Sequence, residues 1–348
     1  MNHLDRFSVW ELARDGCAET FTEKLLEHQD ELETIGGVSQ PYFTGTPLSV
    51  AAEYGNSEIV QICLENGANA NSVDSRGRTP LFHAMTTKGL GATMSLLQHK
   101  ADVSIPDRNG ITPLICAIKY NLPGLVMLLI DNGADVSIPD RNGNTPLIHA
   151  IKKDLPGVVM LLIQNGADPC AKHIDGETSL GFAIMKGYFG CMKILIEKGA
   201  DLFAKNSDGQ TVLHVAAEQG QFGCMKILLD RHCNINCRDD SGWTPLHAAI
   251  RAGREDSVRI LIHYGAAPDT TDMEYALTRE RAVNHPSHKA CYRRPWSTIR
   301  ILVEKEIKRR DDIVRREAIA MGLHDRLGKG SRLYPLDEGV VGIIRQYL

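Results

Sequence analysis

Apolar positions along this chain come in short blocks at helical spacing, separated by stretches rich in Gly, Pro, Asn and Asp, and residues 111–143 show one full cycle. Thr112 is suited to cap a first short helix and Pro113 to begin it, because the missing proline N–H has no acceptor there. A second apolar run, at residues 125–130, repeats every three to four residues, as in an amphipathic helix. Gly133 ends that helix, since glycine adopts the left-handed conformation readily. The cycle therefore predicts a helix, a turn, a second helix and an extended loop.

This cycle recurs with a period of about 33 residues. The phrase ADVSIPDRNG occurs at 101–110 and 134–143, and FGCMKIL occurs at 189–195 and 222–228. The same step separates seven Thr-Pro-Leu triplets or close variants, which begin at Thr46, Thr79, Thr112, Thr145, Thr178, Thr211 and Thr244. Helices this short are not stable alone in water, so the repeats must stack and share a core. The sequence thus predicts an all-α solenoid of stacked helix-turn-helix units with hairpin-like loops.

The repeats resemble one known family. TPLSVAAEYG, TVLHVAAEQG and TPLHAAIRAG resemble the first helix of an ankyrin repeat, and IVQICLENGANAN, VVMLLIQNGADP and SVRILIHYGAAP resemble its second helix and exit. The resemblance covers about residues 41–271, as seven repeats, and implies an ankyrin-repeat solenoid. It also implies that His214 and His247, which follow the Leu of their triplets, brace the neighbouring loop through hydrogen bonds.

Both ends of the chain depart from the repeat. Residues 1–40 keep traces of it and are expected to form a degenerate capping repeat, because a terminal face otherwise exposes core. Residues 272–305 are expected to form a degenerate eighth repeat with an insertion at 284–296, and residues 306–348 a helical tail. The tail resembles the short C-terminal boxes that follow ankyrin arrays in ubiquitin-ligase substrate receptors, although their Pro-rich turn is reduced to Tyr-Pro-Leu at 334–336. We nevertheless favour a tail that only closes the last repeat, because such arrays need a cap, and keep the ligase-recruiting box as the alternative.

Composition excludes several classes of function. A net charge of −4 over 348 residues excludes a broadly basic nucleic-acid binder. No apolar run reaches the roughly 18 residues that a membrane-spanning helix needs, so we expect no membrane insertion. The nine cysteines lie mostly within predicted helices and lack disulfide-like spacing, which favours a reducing compartment. We therefore expect a cytoplasmic or nuclear protein, and a monomer.

The sequence contains no convincing motif for catalysis, cofactor binding or metal binding. No nucleophile–base pair, carboxylate pair or Gly-rich cofactor loop has suitable spacing, so we expect no catalytic activity, no cofactor and no metal. Five residues separate Gly322 from Gly328, and Gly rather than Ser or Thr follows Lys329, unlike a phosphate-binding loop. His285, His288 and Cys291 supply three of the four ligands of a zinc site in no common pattern, and we interpret them as a solvated loop.

A partner surface is the remaining prediction, because stacked helical repeats form an extended concave face. Ankyrin proteins use the loop tips and the ends of the first helices, which here are Tyr54, Arg76, Arg78, Arg108, Ile111, Lys119, Tyr120, Arg141, Lys152, Lys153, Lys186, Trp243 and Arg251. The Lys and Arg residues of adjacent repeats predict a basic stripe, which favours an acidic peptide or protein surface. We therefore expect a non-catalytic scaffold or adaptor for a protein partner. The alternative is a substrate receptor whose residues 306–348 recruit ubiquitin-ligase subunits.

Overall fold

The computed structural model describes residues 8–33, 45–86, 89–173, 176–283 and 294–327. The chain divides into two compact units, residues 1–207 and 208–348. The first unit contains α1 (Val9–Asp15), α2 (Ala18–Glu27), a 3-10 helix (Gln29–Glu33), α3 (Pro47–Tyr54), α4 (Ser57–Glu65), α5 (Pro80–Thr86), α6 (Leu90–Gln98), α7 (Pro113–Lys119), α8 (Pro123–Asp131), α9 (Pro146–Lys152), α10 (Pro156–Gln164), α11 (Ser179–Lys186) and α12 (Phe189–Glu197). The second contains α13 (Val212–Gln219), α14 (Phe222–Asp230), α15 (Pro245–Arg251), α16 (Glu255–His263), α17 (Thr270–Val283) and α18 (Arg294–Leu327).

The repeat signals fold as the sequence predicts. The first helix of a repeat begins after its threonine, whose hydroxyl accepts a backbone N–H of the first turn in the repeats of Thr46, Thr112, Thr145, Thr178 and Thr244. Second helices end just before a residue at positive φ, which is a glycine in most repeats, such as Gly133 at 85°, and Lys100 and His232 in two others. The all-α class is confirmed, since the described elements are helices and the described residues otherwise form isolated bridges, such as that between Lys172 and Thr178.

Each unit is held together by helices of neighbouring repeats. In the first unit, first helices pack on first helices, from α3 to α11, and second helices pack on second helices, as α8 does on α10. In the second unit, α13 packs on α15 and α14 on α16. Leu114, Ile118 and Leu129 are fully buried between repeats. Since burial of such a side chain contributes about 1.5–3 kcal/mol, stacking supplies the stability that short helices lack.

The loops between repeats are built on a recurring aspartate. In the loop before α7, Oδ1 of Asp107 accepts the backbone N–H groups of Asn109 and Ile111, both at 2.8 Å. Equivalent pairs of bonds form in other loops, at Asp74, Asp140 and Asp239. Adjacent loops also touch closely, because a Cβ on Gly110 would lie 2.9 Å from the backbone nitrogen of Arg141. These bonds fix the height and direction of each loop tip.

The N-terminal helix pair packs like a repeat. Helix α1 packs on α3 and α2 on α4, and Phe21 and Leu25 are buried beneath them. The side chain of Asn56 donates to the carbonyl oxygens of Ala13 and Arg14, at 2.7 and 2.9 Å. Residues 1–7 and 34–44 lie outside the described residues, so the predicted boundary at residue 40 stays a prediction.

At the C-terminal end, α18 is one helix that runs through the expected boundary between residues 305 and 306. The predicted second helix of the eighth repeat and the predicted tail helix are therefore continuous. Ion pairs one turn apart favour this, as between Arg300 and Glu304 at 3.0 Å, and the side chain of Arg310 donates to the carbonyl oxygen of Gly265 at 2.9 Å. Residues 284–293 and 328–348, which include His285, His288, Cys291 and the Tyr-Pro-Leu turn, lie outside the described residues. Among the described helices, none is long and apolar enough to cross a membrane.

Candidate partner-binding surface

A groove of about 590 Å³ lies in the first unit, between the loops that precede α5 and α7 and the C-terminal ends of α7 and α9. Seven of the residues that line it are among the predicted partner-binding positions: Arg76, Arg78, Arg108, Ile111, Lys119, Tyr120 and Lys153. The repeat spacing thus brings together side chains that are distant in the chain, from Arg76 to Lys153. We call this surface the basic groove.

Cations dominate the basic groove. Five of its lining side chains are Arg or Lys and one, Asp107, is acidic. Oδ1 of that acid accepts two backbone N–H groups of its own loop. Among the described residues no acid forms an ion pair with the exposed side chains of four of the cations, Arg76, Arg108, Lys119 and Lys153. The groove therefore presents a net positive charge to solvent.

Tyr120 adds an aromatic wall to the groove. Its side chain lies just after α7 and is 53% exposed, so the repeat's own core does not use it. Large aromatic residues are frequent anchors of protein interfaces because they bury much area for little lost conformational freedom. Tyr54, which occupies the same position two repeats earlier, is 45% exposed but does not line the groove.

In the first unit, three predicted surface residues are more buried than expected. Ile111 is only 9% exposed, although it lines the groove. Arg78 is half-buried and pairs with Asp74 at 2.8 Å. Lys152 is half-buried, and its ammonium group donates to the side chain of Asn144. The expectation that repeat packing leaves these three side chains unused was wrong.

The remaining cations of the predicted stripe lie beside the groove. Arg141 and Lys186 are exposed. The ammonium groups of Lys152 and Lys186 lie 5.6 and 5.9 Å from the centroid of the Phe182 ring, within range of a cation–π contact. Positive charge thus extends from the loops before α5 to the end of α11.

His149 in α9 does not add to this charge at neutral pH. Burial lowers the pKa of His149, although a hydrogen bond to Asp140 at 2.9 Å opposes that change. Burial acts against the ionised form of Asp74, but hydrogen bonds from His83 and from the backbone N–H groups of Arg78 and Arg76 hold its pKa far below the usual value. The groove's positive charge therefore comes from its Arg and Lys side chains.

In the second unit, the predicted surface residues Trp243 and Arg251 contact other side chains of the same unit. The guanidinium of Arg251 lies 4.8 Å from the centroid of the Trp243 ring and donates to Glu218 at 2.8 Å. Both Trp243 and Arg251 are half-buried. As the resemblance implies, Nε2 of His214 contacts the carbonyl oxygen of Trp243 at 2.9 Å and braces the next loop.

A second cluster, which sequence reasoning missed, surrounds His247. Its Nε2 lies 3.4 Å from Oδ1 of Asp269 and 2.9 Å from Oγ1 of Thr271, and its Nδ1 lies 3.5 Å from Oδ1 of Asp272. Burial raises the pKa of Asp272 to about 6. The available signal was the period itself, because Asp272 stands one full repeat after the loop aspartate Asp239.

Comparisons with known proteins agree with the repeat architecture. A family model for ankyrin repeats matches residues 11–107, 88–173, 123–206 and 180–272. Rabankyrin-5 of Mus musculus is 31% identical over 111 residues, which cover 26% of this chain and 10% of that protein. An ankyrin repeat-containing protein of Schizosaccharomyces pombe is 34% identical over 75 residues, which cover 22% of this chain and 33% of that protein.

The crystal structure of the ankyrin repeat domain of Bcl-3, a member of the IkappaB protein family, is also similar. It superimposes with a TM-score of 0.56 and 26% identity, over 60% of this chain and 93% of that domain. The chain spans about a tenth of the length of the rabankyrin-5 relative and a third of the yeast protein.

Proposed function

Because this chain belongs to the ankyrin-repeat family, whose repeats generally mediate protein–protein interaction, we propose that it is a non-catalytic scaffold or adaptor for a protein partner with an acidic surface. The partner binds in the basic groove of the first unit. The observation that carries this function is the convergence of four exposed cations, which have no acidic partner among the described residues, around one exposed aromatic side chain. The family's repeats are typically non-catalytic, which agrees with a binding role.

Electrostatics favours an acidic partner over a neutral one. Exposed ion pairs contribute only about 0.2–1 kcal/mol each, but several cations around one concave surface act together. They also speed the encounter with an acidic segment, an effect that salt weakens because the Debye length shortens from about 10 Å at 0.1 M to about 3 Å at 1 M. Affinity and association rate should both fall steeply with ionic strength.

The shape of the groove favours an extended acidic segment. The groove has a volume of about 590 Å³ and is lined by both loop tips and helix ends. It can therefore accept several side chains of a partner. The aromatic ring of Tyr120 lies beside Lys119 at the end of α7, and it offers an apolar contact next to the charges. An acidic segment with an interspersed apolar residue matches this arrangement.

The experiment is a display selection with random linear peptides on the full chain, followed by affinity measurement. We expect enrichment of Asp- and Glu-rich peptides that the variant Arg108→Glu/Lys119→Glu/Lys153→Glu no longer binds. The matched control reverses three exposed cations that do not line the groove, Lys198→Glu/Lys226→Glu/Arg231→Glu. Both triple variants change the net charge equally, and circular dichroism verifies that each is folded. Equal loss in both variants, or no acidic enrichment, would contradict the proposal.

The ligase-receptor alternative depends on residues 306–348, of which 328–348 lie outside the described residues. It stays a prediction. Capture experiments with the full chain and a chain that ends after α18, at residue 327, would test it. If ligase subunits bind the full chain but not the shorter one, the receptor function is favoured. If both chains capture the same acidic partner and no ligase subunits, the adaptor function is favoured.

We further propose that this binding takes place in the cytoplasm or nucleus. The eight cysteines of the described residues are all free thiols, as expected in a reducing compartment. Burial raises the pKa of Cys63, Cys116 and Cys191 to about 12, so these thiols are protonated and pack as small apolar groups.

A further inference from the structure

Acidic charge is concentrated in the N-terminal helix pair. Residues 8–33 contain eight acidic and two basic residues, a net charge of −6, whereas the whole chain carries −4. On α2, Glu19, Glu23 and Glu27 recur every four residues and therefore share one face of the helix. All three are exposed, and among the described residues no cation forms an ion pair with them. We call this face of α2 the acidic stripe.

An apolar side chain lies within the acidic stripe. Leu26 stands seven residues after Glu19, or two turns of helix, and is 73% exposed, the highest value for a large apolar side chain among the described residues. An exposed leucine by itself is common on protein surfaces. Its position among three acids, however, gives an acidic segment with an interspersed apolar residue. That is the kind of segment that the charge and shape of the basic groove favour.

The basic groove offers complementary groups at a comparable spacing. Glu19 and Glu27 lie about 12 Å apart along the helix axis, at about 1.5 Å per residue. Lys119 and Lys153 stand at the ends of first helices in adjacent repeats, and packed helices lie about 8–10 Å apart. Long side chains bridge this small difference. Two carboxylates of α2 can therefore meet two ammonium groups of the groove while the leucine contacts the ring of Tyr120.

The groove that α2 can reach is that of a second copy of the chain. Phe21 and Leu25 are buried where α2 packs on α1 and α4, and this packing leaves the acidic stripe exposed on the opposite face. The basic groove begins at the loop that follows α4. To enter the groove of its own chain, α2 would have to leave α4 and expose both core side chains to water, which is unfavourable. A second copy offers the same groove without that loss.

We propose that this protein associates with itself, with the acidic stripe of one copy bound in the basic groove of a second copy. The inference rests on the proposed function, because it names another copy of this chain as an acidic partner of the groove. The two surfaces differ, so the contact is heterologous and can repeat from copy to copy. An association between exposed charges is weak and sensitive to salt. Other acidic partners compete for the groove, so the monomer expected from the sequence is the state of dilute or partner-bound protein.

The test is sedimentation velocity on the full chain. At about 50 mM salt we expect the average mass to rise with protein concentration between about 1 and 200 μM, and at about 500 mM salt to return to that of the monomer, because the Debye length shortens about threefold. The stripe variant, which should stay monomeric under both conditions, is Glu19→Gln/Glu23→Gln/Glu27→Gln. Its matched control neutralises the last residues of α4, α8 and α12, which are exposed acids, and should associate like the parent: Glu65→Gln/Asp131→Asn/Glu197→Gln.

A mixture of two variants identifies which surfaces meet. The groove variant Arg108→Glu/Lys119→Glu/Lys153→Glu keeps an intact acidic stripe, and by itself it should also stay monomeric. Mixed with the stripe variant, whose groove is intact, it should form a dimer of one copy of each and nothing larger, because the mixture holds only one complementary pair of surfaces. Circular dichroism verifies that each variant is folded.

The outcomes separate this proposal from the proposed function. A parent that stays monomeric at low salt, a stripe variant that associates like its control, or a mixture that stays monomeric would each overturn self-association. None of these results affects the binding of an acidic peptide to the groove, which dilute parent and dilute stripe variant should show with equal affinity. Failure of the dilute parent to bind any acidic peptide would instead contradict the proposed function.

Discussion

The residue near the end of each first helix shows how the two units of this protein differ in surface charge. In the first unit, Lys119 and Lys152 stand one repeat apart at the ends of α7 and α9, and in the second, Glu218 and Arg251 stand one repeat apart at the ends of α13 and α15. The second pair forms an ion pair at 2.8 Å, whereas the first carries like charges that cannot pair. The backbone is the same in both. Unbalanced charge, rather than exposure, therefore distinguishes a candidate binding surface from an ordinary repeat face.

Removal of the aromatic anchor is the strongest test of that comparison. Tyr120→Ala should weaken the binding of an acidic peptide selected on the groove about 30-fold, since a central aromatic anchor contributes about 2 kcal/mol. Stability should change little, because the side chain is 53% exposed. Fluorescence anisotropy with the labelled peptide measures the effect.

Tyr54→Ala is the matched control for that change. Tyr54 occupies the same repeat position, is 45% exposed and does not line the basic groove. Its removal should alter peptide affinity less than twofold. If both substitutions weaken binding equally, the peptide does not bind in the basic groove.

Exchange of charge between the two units is the next largest test. Lys119→Glu gives the first unit an opposite-charge pair like that of the second, and we expect about a tenfold loss of affinity for the acidic peptide. Glu218→Lys gives the second unit a like-charge pair. It should leave peptide affinity unchanged and lower the free energy of unfolding by no more than about 1 kcal/mol, because the pair is partly exposed. Anisotropy and urea unfolding measure these two outcomes, and a gain of peptide affinity in Glu218→Lys would show that charge alone, without the groove, suffices.

The sequence was sufficient to predict the repeats and most of the residues that line the groove. The repeat period places Arg76, Arg108 and Lys153 on one face, because each repeat has the same geometry and only the side chain varies. Exposure was harder to predict, since it depends on what the neighbouring repeat contributes. Arg78 is partly buried and pairs with Asp74, and Ile111 is buried although it lines the groove.

Departures from the period could not be predicted for a related reason. Where the hairpin loop before the eighth repeat becomes α17, the partners of Asp272 change although its position in the period does not. The continuity of α18 through residue 305 is similar, because charged residues fit a solvent-facing helix and a tail equally well. In both places the sequence shows that the repeat ends, and tertiary contacts determine what replaces it.

The smallest expected effect concerns pH. Burial lowers the pKa of His149 below its ordinary value of 6.5, so the unfolded chain takes up a proton at a higher pH than the folded chain. The contribution of His149 to the free energy of unfolding should therefore be constant above that value and decrease as the pH falls from about 6.5 towards the folded-state pKa. His149→Gln should remove part of this decrease, and urea unfolding between pH 7.5 and pH 5 measures it. His263→Gln, an exposed histidine in α16, controls for the loss of one histidine and should keep the parent's slope. Peptide affinity should stay constant wherever the protein remains folded, because the groove's positive charge comes from Arg and Lys side chains. If peptide affinity instead decreased with pH in parallel with the free energy of unfolding, and His149→Gln removed that decrease, the loop network under the groove would control binding rather than its surface charge.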